Sequence, residues 1–568
     1  MKTKKPFLLP ALMSAISLIP AGLAMAQFDR LINPDGAFPA AGLVLVGNTL
    51  YGTAQAGGDS GHGVVFALST DGSSFMSLHG FTGGDGMNPY ARLTSSGDTL
   101  YGTANCGGGT GSGTVFKLGT DGSGFVTLYN FAATAGSPST NSDGADPYAG
   151  VVVSGNTLYG TAEEGASAGG GAVFAVNIDG TGFTNLHSFT ATNSNGTVGT
   201  NRDGSGPMAG LVLSGHTLYG TAYSGGCAGN GTVFALNTNG LGRTILHTFS
   251  AGGTNSSGIY TNNEGANPAS GLVLSGYTLF GTAENGANSG NGALFAVNTA
   301  GTCFRVLHRF TGLENHTNSD GALPHASLLL SGHTLYGVAK YGGSSGNGTV
   351  FAINTDGTGF TNLHSFSFLS GPAPGTNSDG TYPYGSLIMS NNTLYGTALF
   401  GGDSGSGTVF ALNTDGTDFT TLHSFTKLVM PVPQLTITLS GSDVVLAWPA
   451  NTGPMSYRLE STTDLVSLGR RHTVWDPVTF PSVDMLNGQN YMTLPAVEMQ
   501  QFYRLNSMSG GCGSNGDCPL GSMCVNGVCM IIAGGFGFGF GFGFGFGFGN
   551  YSTNSNNIEY PGNSPSIS

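Results

Sequence analysis

The feature that most limits what this chain can fold into is a heptapeptide that keeps coming back. Asn48-Thr49-Leu50-Tyr51-Gly52-Thr53-Ala54 recurs, nearly unchanged, from Asp98, Asn156, His216, Tyr277, His333 and Asn392, at spacings of 50, 58, 60, 61, 56 and 59 residues. Each copy carries the same succession of parts. An acidic-Gly-x-x-Pro loop such as Asp143–Pro147 comes first, then an apolar run such as Gly210–Leu213 and a tight Ser214-Gly215 turn. The heptapeptide follows, then a glycine-rich loop, Gly231-Thr232-Val233-Phe234-Ala235-Leu236, a second tight turn, and a last run such as Phe360–Phe366. That is four short strands per copy, rich in Val, Leu, Phe, Tyr and Thr and punctuated by glycine turns. No helical period of 3.6 survives in any copy.

One four-stranded sheet cannot bury both of its faces alone. Seven of them arranged around an axis bury sheet against sheet and protect the edges, which is the β-propeller. A linear β-solenoid is the competing architecture, but its coils usually take only about 20–30 residues. The fold class expected is therefore all-β, with a seven-bladed propeller over residues 27–427. Two segments compete to close the ring. Phe28–Ile32 resembles a last strand, yet the seventh copy has its own, Phe419 to Phe425.

With Leu-Tyr-Gly-Thr-Ala, Gly-Thr-Val-Phe and Leu-His-x-Phe recurring in register over about residues 28–427, the chain resembles the gloeo-Verruco (GloVer) repeat proteins. The resemblance implies an exported or surface protein of bacteria with an anchoring tail, and implies no established activity.

The N-terminus reads as a secretory leader over residues 1–26. Lys2, Lys4 and Lys5 precede an apolar run from Phe7 to Leu23, and Ala24-Met25-Ala26 supplies the small-x-small site. Pro10 and Pro20 interrupt the run, which argues against a membrane anchor, and no transmembrane span is expected in the mature chain. Secretion or the cell surface is the expected location, with the periplasm as alternative. Loss of the leader's three lysines takes the net charge from −14 to −17. So acidic a surface repels phosphate backbones and excludes nucleic acid as a partner.

In such a ring the first-to-second and third-to-fourth turns share one rim, and the second-to-third and blade-to-blade loops share the other. The length variation falls on the second rim: Thr190–Pro207 and Ser250–Pro268 are long, Thr82–Pro89 short. Variable loops on a rigid scaffold are where binding usually resides. The position after each Thr/Val-Ala reads Gln55, Asn105, Glu163, Tyr223, Glu284, Lys340 and Leu399, and the next reads Ala56, Cys106, Glu164, Ser224, Asn285, Tyr341 and Phe400. Gln55, Asn105, Glu163, Glu164, Tyr223, Glu284, Lys340, Tyr341 and Phe400 are the candidate ligand-binding set, suited to a carbohydrate or peptide. Unconstrained drift of loop residues explains the same pattern and is the favoured reading, since no copy offers a convergent catalytic set.

His79, His187, His247, His308, His364 and His423 occupy one repeat position, with Tyr129 in the remaining copy. Equivalent residues of different blades stand too far apart to ligate one metal, so they read as structural. The acids before glycine, Asp35, Asp85, Asp143, Asp203, Glu264, Asp320 and Asp379, bring one or two carboxylates per loop where calcium wants six or more oxygens. An Asx-type turn suffices for them. Glu163-Glu164 is an adjacent acidic pair, but neighbours in a loop seldom flank one glycosidic bond. No catalytic residue, metal or cofactor is assigned, and the chain reads as a non-enzyme rather than an enzyme.

Beyond a linker at 428–433, residues 434–507 alternate as in Leu435–Leu439 and Val444–Trp448, and close on Gln501-Phe502-Tyr503-Arg504-Leu505. This resembles a fibronectin-III-like β-sandwich, with a spacer role. Over 508–532, Cys512, Cys518, Cys524 and Cys529 read as two disulfides in a small Cys-rich module, with zinc as the competitor and three connectivities open. Cys106, Cys227 and Cys303 lie in different copies. The tail, 533–568, alternates Gly and Phe from Gly535 to Gly549, a ribbon capable of self-association or surface attachment, with disorder as its alternative. The function expected is an exported structural or adhesive surface protein. A carbohydrate- or peptide-binding module ranks second and a glycan-active enzyme third.

Overall fold

A computed structural model describes residues 35–426 apart from 193–198, 257 and 372–374, and beyond them only the backbone of nine strands between Thr436 and Ile531. The leader, Phe28–Ile32, the linker, the side chains of 434–507, the cysteines of the Cys-rich module and the Gly-Phe tail lie outside the described residues. No helix among those described is long and apolar enough to cross a membrane.

The repeats form a seven-bladed β-propeller. Val44–Val46, Thr49–Ala54, Val64–Ser69 and Phe75–Gly80 make the first blade, an antiparallel meander whose strands pair in sequence order. The next five repeat it, and the seventh adds a short strand, Thr381–Pro383, on its lengthened second strand Thr393–Phe400. The order leaves no room for a solenoid, and the irregular loops gather on one rim.

Register explains the repeated words. In the first blade Gly52 pairs with Phe66, and a Cβ on that glycine would stand 2.5 Å from the Phe66 ring. The same conflict recurs at 2.5 to 2.6 Å in every other blade, from Gly102 under Phe116 to Gly396 under Phe410. Glycine sits mid-strand because the neighbouring phenylalanine occupies its side-chain space. Between the third and fourth strands the register shifts at Val65/Phe66 and at the equivalent Val-Phe or Leu-Phe pair of each blade. A bulge there re-aims the fourth strand.

Blade packs on blade through sheet faces. Tyr101, Val115, Leu128 and Phe131 of the second blade bury against Leu158, Phe174 and Val176 of the third. The ring closes in the same way, with Leu43, Leu50, Phe66 and Leu68 against Tyr395, Val409 and Phe425. The seventh blade uses its own fourth strand, Thr420–Ser424.

Two polar hooks accompany this packing. The threonine of Leu-Tyr-Gly-Thr-Ala donates to a backbone carbonyl of the next blade: Thr103 to Ala149 at 2.9 Å, Thr161 to Ala209 at 3.0 Å, Thr397 to Ala41 at 2.8 Å across the closure. The sixth blade has Val338 instead. Thr161→Val is expected to cost about 1 kcal/mol, the net worth of a buried hydrogen bond plus an orphaned carbonyl. Chemical denaturation would read it, and unchanged stability would show the hook to be idle.

The second hook joins the histidines and the acids before glycine, which the sequence presents as separate features. Each fourth-strand histidine meets the acid of the loop entering the next blade: His79–Asp85 at 3.0 Å, His187–Asp203 at 3.2 Å, His247–Glu264 at 3.2 Å, His308–Asp320 at 2.9 Å, His364–Asp379 at 3.1 Å and His423–Asp35 at 3.3 Å. Tyr129 substitutes by donating to Asp143 at 2.7 Å. Backbone and hydroxyl donors just past the fourth strand share the carboxylate, as Thr311 does with Asp320. Most of these rings also stack on a phenylalanine of the following blade, His79 on Phe125 at 3.6 Å and His423 on Phe75 at 4.0 Å. Both residue types are structural, and together they clamp successive blades.

Candidate functional site

At the irregular rim two loops of each blade run side by side. Ala37 bridges Ala56, Met87 bridges Cys106, Ala145 bridges Glu164, and the remaining blades match. The backbone of the candidate positions is thus held by hydrogen bonds between the two loops. The residue before the proline stands at positive φ as Phe38 (60°), Asn88 (54°), Asp146 (55°), Asn267 (58°), Leu323 (55°) and Tyr382 (55°), with Gly206 in the fourth blade. Holding non-glycine residues there costs of order 1 kcal/mol each, and such strain is concentrated where a fold positions functional groups.

The rim is not symmetric. Across the sixth, seventh and first blades lies an arc of rings: Tyr341–Tyr382 at 5.0 Å between centroids, Tyr382–Phe400 at 5.9 Å and Phe400–Phe38 at 5.3 Å. Lys340 Nζ is 5.2 Å from the centroids of both Tyr341 and Tyr384. The third blade, on the other side of the ring, contributes Asp146, Glu163 and Glu164. Burial, then Glu164 and Asp146, pushes the Glu163 carboxyl up to about 8. Burial and Glu164 bring Asp146 to about 7, and burial raises Glu164 as well. Glu284 is pushed to about 7 by burial, opposed by Lys340, whose own pKa burial lowers. The Cys106 thiol beside this acidic group is raised to about 12 by burial first.

The residue after each proline forms the floor. Tyr90 stacks on Tyr148 at 4.8 Å, and Tyr148 Oη meets Tyr384 Oη at 3.0 Å from the far side of the ring. Tyr384 Oη also lies 2.9 Å from His325 Nε2. Burial drives His325 down to about 3, so its ring is neutral at physiological pH. The result is a bowl with a tyrosine floor, one aromatic wall and one carboxylate wall.

Of the candidate residues, Glu163, Glu164, Tyr223, Glu284, Lys340, Tyr341 and Phe400 are half-buried around this bowl. Gln55 and Asn105 are packed in, 4% and 5% exposed, and Gln55 Oε1 has no hydrogen-bond partner. Sequence reasoning missed the positions flanking the proline, which supply Phe38, Asp146, Tyr382, Tyr90, Tyr148, His325 and Tyr384. The available signal was variation at fixed places beside an otherwise constant Gly-x-x-Pro.

The profile of the Gloeobacter/Verrucomicrobia repeat matches residues 17–142, 138–263 and 256–447, most of the chain. The chain belongs to that family. No curated protein sequence matches it. Among solved structures this family member is similar to a puromycin-hydrolyzing peptidase of Mycobacterium tuberculosis, at 10% identity and a TM-score of 0.43 over 74% of this chain and 59% of that one. It is also similar to an oligogalacturonate lyase of Vibrio parahaemolyticus (11%, TM-score 0.38, 67% and 90% covered). A GH74 xyloglucanase of Xanthomonas campestris is a third (12%, TM-score 0.43, 74% and 58% covered). The chain spans about three-fifths of the peptidase and of the xyloglucanase.

Proposed function

We propose that this repeat protein is exported by its N-terminal leader and adheres by binding carbohydrate in the propeller bowl, with the Gly-Phe tail as its attachment. One observation carries the reading: the arc Tyr341–Tyr382–Phe400–Phe38 faces a wall of carboxylates over a tyrosine floor. Aromatic faces stack on the apolar face of a sugar ring, and convergent carboxylates and hydroxyls take its hydroxyl groups.

The mature full-length chain on a glycan array is the test. Retention of a defined glycan class, lowered about tenfold by Phe400→Ala and by Tyr382→Ala, is expected from the loss of about 1.4 kcal/mol of stacking per ring. Tyr277→Ala, in a turn on the opposite rim and 84% exposed, should leave retention unchanged. An array with no bound glycan, or retention insensitive to the arc, would sink the reading.

A glycan-active enzyme is the second reading, favoured by the Glu163 carboxyl, protonated up to about pH 8 as a general acid must be. Turnover unaffected in Glu163→Gln would remove it.

A further inference from the structure

The circle of residues before the proline has one gap. Six blades hold a side chain there at positive φ, whereas the fourth has Gly206, at 66°. A Cβ on Gly206 would meet nothing closer than Tyr223 Cβ at 3.9 Å and Glu163 Cγ at 4.0 Å. Two residues earlier the packing is tight, since a Cβ on Gly204 would stand 2.5 Å from Ala222. Gly206 therefore leaves a notch, bordered by the Glu163 and Tyr223 side chains. Backbone bonds hold its frame. Gly206 N–H donates to the Gly170 carbonyl at 3.0 Å, and Tyr223 N–H donates to the Gly206 carbonyl at 3.0 Å. On the third blade Glu163 N–H donates to the Asp146 carbonyl at 3.2 Å and Glu164 N–H to that of Ala145 at 3.1 Å. Glu284 of the fifth blade faces the same space. Burial comes first in raising the Tyr223 and Tyr148 phenols, and Glu163 and Glu284 both add to it.

We propose that this notch is an ammonium subsite, so that the carbohydrate taken by the bowl is an amino sugar with its amine free; the inference rests on the carbohydrate reading above. The hydrogen-bond inventory carries it. Among the described residues, the half-buried side chains of Asp146, Glu163, Glu164 and Glu284 make no hydrogen bond and no ion pair. The cation near them, Lys340, lies over the Tyr341 and Tyr384 rings instead. Gln55, at the repeat position of Glu163 and Glu284, is 4% exposed, and its Oε1 also lacks a donor. The bowl thus offers acceptors in excess. A sugar hydroxyl both donates and accepts, whereas an ammonium donates three bonds, accepts none, and supplies the missing charge. Tyr223 adds an aromatic ring, the other partner that a cation favours. Among the described residues no three acids are grouped as a metal ion would require, which leaves an organic cation as the fit. Burial, then Glu164 and Asp146, keeps the Glu163 carboxyl protonated up to about pH 8, and Glu284 is raised to about 7. An ammonium beside them favours the ionised forms, so its arrival below that pH releases protons. Tyr148, Tyr223 and Cys106 also face Glu163, and their raised pKa values keep them neutral throughout.

The mature full-length chain is titrated calorimetrically at pH 6 with short β-1,4-linked oligomers of glucosamine, N-acetylglucosamine and glucose, which differ only at C2. The glucosamine oligomer is expected to bind about tenfold more tightly than the other two. Its heat should vary with the ionisation enthalpy of the buffer, because protons are released. Gly206→Asn installs the residue that the second and fifth blades carry at positive φ, so the loop retains its backbone. It should fill the notch and lower glucosamine affinity about tenfold. Glu163→Gln should do the same and remove most of the proton release. Phe400→Ala should weaken the oligomers by a common factor, because the arc serves any sugar ring. Equal affinity for the three oligomers, or a glucosamine preference that survives both notch variants, overturns the ammonium subsite and leaves the carbohydrate reading standing. Spermine, an ammonium without a sugar ring, overturns it too if it binds as tightly as the glucosamine oligomer and is indifferent to Phe400→Ala. Retention of no glycan of any kind would instead remove the carbohydrate reading itself.

Discussion

Replacing Asp203 by alanine is expected to destabilise the propeller by about 3 kcal/mol, because a buried acceptor is withdrawn from three donors at once. Asp203 is 1% exposed. It lies 3.2 Å from His187 Nε2, accepts from the Thr190 backbone N–H at 3.2 Å, and accepts from the Thr190 hydroxyl. Alanine leaves the half-buried His187 ring and the two Thr190 donors without this acceptor and frees the fourth strand of the third blade from the loop entering the fourth. Asn at the same position keeps an acceptor and should recover part of the loss.

The pH dependence supplies a second check. Burial pushes the Asp203 carboxyl up, but the bonds from His187 and Thr190 outweigh it and hold the pKa below the ordinary value. A carboxylate whose folded pKa is depressed stabilises above its unfolded pKa, about 3.9, and loses that contribution as pH falls through the folded value. The gap between wild type and Asp203→Ala should therefore be full at pH 6 and shrink below about pH 3.9. Asp35→Ala, which cuts the clamp from the seventh blade to the first, should in addition speed hydrogen exchange in those two blades. A loss under about 1 kcal/mol for Asp203→Ala would show that sheet packing alone holds the blades together.

Glu163→Gln is expected to act in the opposite direction, raising stability by about 2 kcal/mol at pH 9. The full shift would give more, but the bowl is open to water and the charge is partly screened. The Glu163 carboxyl, carried up to about 8 by burial and by Glu164 and Asp146, has a folded pKa above its unfolded one. Its contribution is thus fully present below about pH 4.3 and is lost as pH rises through about 8. Glutamine carries no charge to desolvate, so the two proteins should melt alike near pH 4 and diverge between pH 5 and 9. A melting difference that stays constant over that range would mean that Glu163 ionises as an ordinary surface glutamate. Sites built for binding or proton transfer often retain such unfavourable charge, which is why stabilisation by removing it is informative.

The legible and illegible parts of this molecule divide by range. Gly52 and Phe66, fourteen positions apart, recur together because they oppose each other across one hairpin, so the repeat itself records their pairing. The His79 and Asp85 positions also recur in every copy, yet nothing in a single repeat says that one residue leaves a blade while the other enters the next. Only the ring makes them partners, and only the ring turns Thr53 into a hook on Ala91. The rim shows the same division. Variation at Glu163, Glu284, Lys340 and Phe400 was visible as departure from a fixed pattern. The second half of the bowl stayed hidden because the residues beside the proline look like ordinary turn residues until the ring brings together those after it, as it does Tyr148, Tyr384 and His325.

The amino-acid sequence alone determined the seven units, their four strands, the segregation of irregular loops to one rim and the structural standing of the histidines. Each of these follows from contacts within one repeat or between adjacent copies, which short-range patterning encodes. The tertiary structure decided how the ring closes, which rings and carboxylates share the bowl, and that Tyr148 meets Tyr384 over the axis. Those contacts join residues from blades hundreds of positions apart, and closing a circle is what sets their distance.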